Sequence, residues 1–214
     1  MIREVYSGSE WIFPFILYRS ELTHSSLPLV IQLHGAGEVG NGGDELELAD
    51  EYGFSSILKS GKEYPCIVVM PQCPPDTFWS AELYRIHEFI AQLKRNFCLD
   101  ENRISLTGTS MGGYGTWAMA CRFPDEFSAI APVCGGGMAW KTRALKMPVW
   151  AFHGTEDDTV EPIESIMMID RLKQHRPEDE TVHLTMFEGM GHEIRSASYT
   201  EELLIWLISQ RRPE

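Results

Sequence analysis

The chain has 214 residues, 43% hydrophobic and 23% charged, with a formal net charge of −13 at pH 7. This composition argues against a disordered, fibrous or membrane chain, and the length suits one domain spanning residues 1–214. The negative balance disfavours nucleic acid and anionic membrane surfaces as partners.

Residues 1–8 hold no apolar stretch of the kind a secretory leader needs. The five cysteines, Cys66, Cys73, Cys98, Cys121 and Cys134, are odd in number and show no paired spacing. A cytoplasmic location is the resulting expectation. Residues 10–19 read as extended, and Pro14 within them predicts an antiparallel edge strand. Short apolar, β-branched runs follow at 29–34, 66–71, 103–107, 128–134, 148–153 and 182–187. They read as buried strands, far shorter than the roughly 20 residues a membrane helix needs.

Helical periodicity separates these runs. Leu83, Ile86, Ile90, Leu93 and Phe97 recur at spacings of three and four, and Lys94 and Arg95 near the end suit the helix dipole. Pro162 opens a helix carrying Ile163, Ile166, Ile169 and Leu172. Ser198 and Glu201 predict a capping box for a last helix carrying Leu203, Trp206 and Leu207. Strands alternating with helices predict an α/β fold, with a mostly parallel central sheet covered by helices on both faces.

One motif stands where its context gives it chemical meaning. The strand at 103–107 runs into Gly108-Thr109-Ser110-Met111-Gly112-Gly113, and 114–122 reads as helix. G-x-S-x-G on a sharp strand-to-helix turn strains the serine backbone and lifts its oxygen above the strand end. Gly108 and Gly112 leave room for the neighbouring strand and helix, and the helix N-terminus favours developing negative charge. Ser110 is the candidate nucleophile.

A serine hydroxyl is a weak nucleophile until a base, held in the correct tautomer, takes its proton. On elbows of this kind the acid and then the base follow the serine along the chain. His175 sits in a polar helix end, His183 belongs to a strand, and His153 closes a strand ahead of the acid candidates. His192, between the last strand and the last helix, is the candidate base. The acid comes from Glu156, Asp157 or Asp158, which periodicity does not separate. No spaced ligand motif accompanies this cluster, so neither a metal nor a cofactor is expected.

Residues 66–80 (with Pro71-Gln72-Cys73-Pro74 and Trp79-Ser80), 103–117, 148–160 and Gly191-His192 carry a resemblance. They resemble the phospholipase/carboxylesterase-like group of small bacterial esterases, often labelled predicted peptidases, within the α/β-hydrolase superfamily. The likeness runs from about residue 29 to 211, and the string at 106–117 is its most specific part. It implies the α/β-hydrolase fold and, four residues after His153, Asp157 as the acid in preference to Asp158. It also implies an oxyanion hole formed by the backbone N–H groups of Met111 and Ala36, with Gly37 as the alternative to Ala36. His34 reads as a structural residue of that loop. The chain departs from the group at Asp158, Thr159 and Glu161, and at Glu193, Ile194 and Arg195 after the base.

Only residues 135–147 separate two of the predicted strands, too few for a cap domain. An open site is expected, with Gly37 and Trp79 as substrate-binding candidates and Trp140 as a further wall. The expected activity is a serine carboxylesterase that hydrolyses small-molecule short-chain or aryl esters through an acyl-enzyme. A peptidase or acyltransferase on the same triad is the rival, and a non-catalytic binding protein of this fold is a remoter one.

Overall fold

A computed structural model describes residues 1–21 and 26–213. Among the described residues, the six apolar runs and the extended segment at 10–19 become strands, and one unforeseen strand joins them: β1 (Ile2–Tyr6), β2 (Phe15–Arg19), β3 (Leu27–Leu33), β4 (Ile67–Pro71), β5 (Leu99–Thr109), β6 (Ala129–Val133), β7 (Val149–Gly154) and β8 (Val182–Phe187). They form one sheet in the order β1-β2-β4-β3-β5-β6-β7-β8. β1 and β2 pair antiparallel, β2 joins β4 antiparallel, and every pair from β4 to β8 is parallel.

The helices are α1 (Ser55–Leu58), α2 (Leu83–Asn96), α3 (Met111–Arg122), α4 (Ile163–His175), α5 (Arg195–Ser198) and α6 (Glu201–Ser209). Side chains alternate across a strand, so each strand feeds two cores. Leu29, Ile31 and Leu33 pack with Ile86, Phe89, Trp117 and Met168 of α2, α3 and α4. Val30 packs on the opposite face with Leu58 of α1 and Leu203, Leu204 and Leu207 of α6. β3 and β4 are buried along their whole length, as a parallel sheet covered on both sides requires. No helix among the described residues is long and apolar enough to cross a membrane.

Two local expectations are corrected. β2 is not the edge: β1 flanks it, and Pro14 lies before the strand instead of inside it. Lacking an N–H, Pro14 still contributes through its carbonyl, which accepts the Gln72 N–H at 2.8 Å. The last helix is capped by Thr200, whose hydroxyl accepts the Leu203 N–H at 3.3 Å. Ser198 is consumed by the preceding turn, where its hydroxyl donates to the Ile194 carbonyl at 3.0 Å.

The topology places a site. β3 lies between β4 and β5, so the chain reverses its winding direction between β3 and β5. Crevices open beyond the carboxyl ends of strands at such a reversal. β6 and β7 are joined by residues 134–148, which hold one 3-10 turn (Ala139–Ala144) and no inserted cap.

Candidate active site

Ser110 stands between the last residue of β5 and the first of α3, with φ 56° and ψ −115°. Positive φ is uncommon for a residue with a side chain and marks stored strain. The turn is held by the Ser110 N–H donating to the Val133 carbonyl (2.9 Å) and the Tyr114 N–H donating to the Ser110 carbonyl (3.0 Å). Close packing holds it too. A Cβ on Gly112 would lie 2.2 Å from the Leu33 carbonyl oxygen, and one on Gly108 would lie 2.4 Å from the Gly112 carbonyl oxygen. Any side chain at either position would push α3 away from the sheet.

His192 reaches the serine from the loop after β8. Its Nε2 is 3.0 Å from Ser110 Oγ, and its Nδ1 is 2.7 Å from Asp157 Oδ2. A carboxylate only accepts, so Nδ1 carries the hydrogen, and in the neutral ring Nε2 is free to accept the serine hydroxyl. Asp157 Oδ1 accepts the N–H groups of Thr159 (3.0 Å) and Val160 (2.9 Å). Burial alone would raise the Asp157 carboxyl, but the donors from Val160, His192 and Thr159 outweigh it and hold the group below the usual carboxylate range. Of the three competing carboxylates, Asp157 is the one beside His192. The Asp158 carboxylate accepts from the Thr159 hydroxyl at 3.4 Å.

The loop after β3 lies against the serine: a Cβ on Gly35 would come 3.9 Å from Ser110 Cβ. Ala36 heads the 3-10 turn Ala36–Glu38 and Met111 heads α3, so neither N–H has an acceptor within its own helix. His34 pins this loop. Its Nδ1–H donates to the Gly35 carbonyl (2.6 Å), and its Nε2 accepts the Cys73 N–H (2.9 Å). Burial pushes its pKa down to about 4, so the ring is neutral near pH 7.

Trp79 is not a wall of the site. It is completely buried, packs edge-on to Phe13 and His34, and donates its indole N–H to the His34 carbonyl at 3.0 Å. With that acceptor supplied, nothing holds the ring at the surface. Trp140, by contrast, is 67% exposed on the β6–β7 connection. Gly37 is exposed, and a Cβ there would meet nothing within 4 Å. One turn beyond Ser110, a largely apolar crevice of about 220 Å³ runs along α3, lined by Leu83, Tyr114, Trp117, Cys121 and Met138 among others.

Sequence reasoning missed a tie between two loops. Arg195 Nη1 donates to Glu38 Oε1 at 3.1 Å, and its guanidinium lies 3.7 Å over the Tyr52 ring. It links the loop of His192 to the loop of Ala36. The departure at Arg195 was a signal for one partner; nothing in the sequence marked Glu38.

Cys134, Asp157 and His192 present ligand atoms within 4.8 Å of one another. Burial, and then the charge of Asp157, push the Cys134 thiol far up, whereas metal ligation needs the thiolate. Asp157 and His192 also already spend their facing atoms on each other. The donor set suits a hydrogen-bonded chain better than an ion.

A strained serine elbow at the carboxyl edge of a reversed, mostly parallel sheet is the arrangement of the α/β-hydrolase fold. Residues 137–207 match the prolyl oligopeptidase family. A solved thermostable esterase superposes with a TM-score of 0.78 at 29% identity, covering 99% of this chain and 63% of that one. A bifunctional acetylxylan esterase/xylanase of Neocallimastix patriciarum is 28% identical over 70% of this chain and 22% of its own length. Poly(3-hydroxyalkanoate) depolymerase C of Paucimonas lemoignei is 25% identical over 82% of this chain and 52% of its own length. The chain thus spans about a fifth and about half of these two relatives.

Proposed function

We propose that this chain is a serine carboxylesterase that acts on small esters with short or aryl groups. The carrying observation is His192, which bridges Ser110 Oγ and Asp157 Oδ2 with one ring nitrogen each. Ser110 Oγ attacks the ester carbonyl while His192 Nε2 takes its proton, and Asp157 stabilises the imidazolium. The oxyanion is held by the N–H groups of Met111 and Ala36. His192 returns the proton to the departing alkoxide, leaving an acyl-serine. Water then gives a proton to His192 and adds to the acyl carbonyl, and collapse releases the acid and restores the serine hydroxyl.

The substrate reading rests on shape. The mouth is uncapped, and the crevice beginning at Tyr114 offers an apolar wall for a flat or short group. A relative named for acetylxylan supports a small acyl group. All five cysteines are free thiols, which fits a reducing cytoplasm.

Hydrolysis of p-nitrophenyl esters from acetate to palmitate tests this reading. Turnover should be highest at short acyl chains, and Ser110→Ala and Asp157→Asn should each lower kcat by about 10⁴-fold or more, with Asp158→Asn near wild type. Full turnover in Ser110→Ala would refute it. Faster cleavage of matched anilides than of esters would move the assignment to a peptidase.

A further inference from the structure

The acid candidate has a second histidine neighbour that the proposed triad leaves unused. His153, near the end of β7, is fully buried. Its Nε2 is 2.8 Å from the Val160 carbonyl oxygen and 3.2 Å from Asp157 Oδ2. Its Nδ1 is 2.7 Å from the hydroxyl of Ser165, in the first turn of α4. That hydroxyl is in turn 2.8 Å from the Gly135 carbonyl oxygen.

Proton accounting fixes one end of this chain. A carbonyl oxygen only accepts, so Nε2 carries a hydrogen and donates it to Val160, with Asp157 Oδ2 3.2 Å from the same nitrogen. The other end has two arrangements. If the Ser165 hydroxyl donates to Gly135, then Nδ1 must also be a donor and the ring is an imidazolium. If the hydroxyl turns to Nδ1, the ring is neutral. In both, the Nε2–H holds the Val160 carbonyl, beside the acid.

Asp157 Oδ2 therefore accepts His192 Nδ1–H and lies 3.2 Å from the protonated His153 Nε2, while Oδ1 accepts two backbone N–H groups, one of them from Val160, whose carbonyl His153 holds. A carboxylate met by donors on both oxygens resists rotation about its own axis. That rotation would carry Oδ2 away from His192. The other titratable group at this point is Cys134, whose thiol is pushed up and stays protonated. Glu164, beside Ser165, lies over Gly136 instead.

We propose that His153 is a positioning residue: it holds the Asp157 carboxylate in the orientation that keeps His192 aimed at Ser110. The inference rests on the triad reading above. A group that acts through alignment should affect the chemical step and not substrate binding. A misplacement of the order of 1 Å typically costs up to about 10²-fold in rate.

The test compares His153→Phe, which fills the space without a donor, with His153→Gln, which restores an N–H. The Phe variant should lower kcat about 10- to 100-fold at unchanged KM, and the Gln variant should recover most of the loss. Imidazole ¹⁵N NMR of the wild-type protein, assigned by the peak missing in the Gln variant, should show His153 Nε2 protonated at neutral pH. The inference falls if kcat in the Phe variant equals wild type, or if both variants are equally impaired. It also falls if Nε2 is unprotonated, a measurement that does not depend on the Phe variant folding. Ser110→Ala and Asp157→Asn run in parallel separate the two ideas. If they keep full turnover the triad reading fails, and if they lose it while His153→Phe does not, only the role of His153 fails.

Discussion

His34 works in the loop after β3 without carrying a charge. Burial outweighs its bond to the Gly35 carbonyl and lowers its pKa to about 4, against about 6.5 for an unfolded histidine. Between those values the unfolded chain binds a proton that the native ring refuses. His34 therefore disfavours the native state progressively as pH falls from about 6.5 towards 4, by an amount on the order of 3 kcal/mol. Urea unfolding at pH 7 and pH 4.5 should show a larger loss of stability in wild type than in His34→Asn. Equal losses would mean the ring is not the titrating group. Asp157, held below the usual carboxylate range, keeps its charge over most of this interval, so the first losses are of the fold and not of the acid.

Residues differ in how plainly the sequence announces them. Ser110 is legible because the elbow is local: two glycines and a serine within five residues specify it. Asp157 could not be separated from Glu156 and Asp158 by pattern. Which of three consecutive loop carboxylates turns inward depends on the backbone, here on Asp157 accepting the N–H groups two and three residues on. Trp79 was misread because an indole beside a motif can serve as wall or as core, and only the acceptor at His34 decides between them.

Among the elements, the instructive pair is the 3-10 turn Ala36–Glu38 and the one-turn helix α5. Both are too short to hold themselves in place by hydrogen bonding alone. Arg195, at the start of α5, and Glu38 are each largely buried, and Glu38 Oε2 has no hydrogen-bond partner among the described residues. Removing the arginine strands a buried carboxylate; removing both is milder. Arg195→Ala should lower Tm by about 3–8 °C, on a cost of about 1–3 kcal/mol. The double variant with Glu38→Ala should lose less than the sum of the singles. Strict additivity in thermal melts would show that the two loops are not coupled.

Pattern could not foresee this tie, because the partners are 157 positions apart in the chain. The long strands and helices were legible from hydrophobic period alone, since β3, β4, α2 and α4 each carry an unbroken buried pattern or stripe. β1 was missed: it is an edge strand that alternates half-buried and exposed residues and has no apolar run to betray it.

For the whole molecule, the short connection between β6 and β7 has a kinetic consequence. Enzymes with a mobile flap over the serine are slow on dissolved substrate and jump in rate when droplets form and the flap opens. On the proposed esterase reading, with no cap between these two strands, no such jump is expected here. Rates on a short triglyceride should follow simple saturation and flatten before the solubility limit, with no break as the solution turns to emulsion. A sharp rise at that boundary would point instead to a part of the surface that rearranges on contact with oil. Otherwise, on the proposed esterase reading, the substrate meets this site as dissolved single molecules or as groups projecting from a hydrated chain.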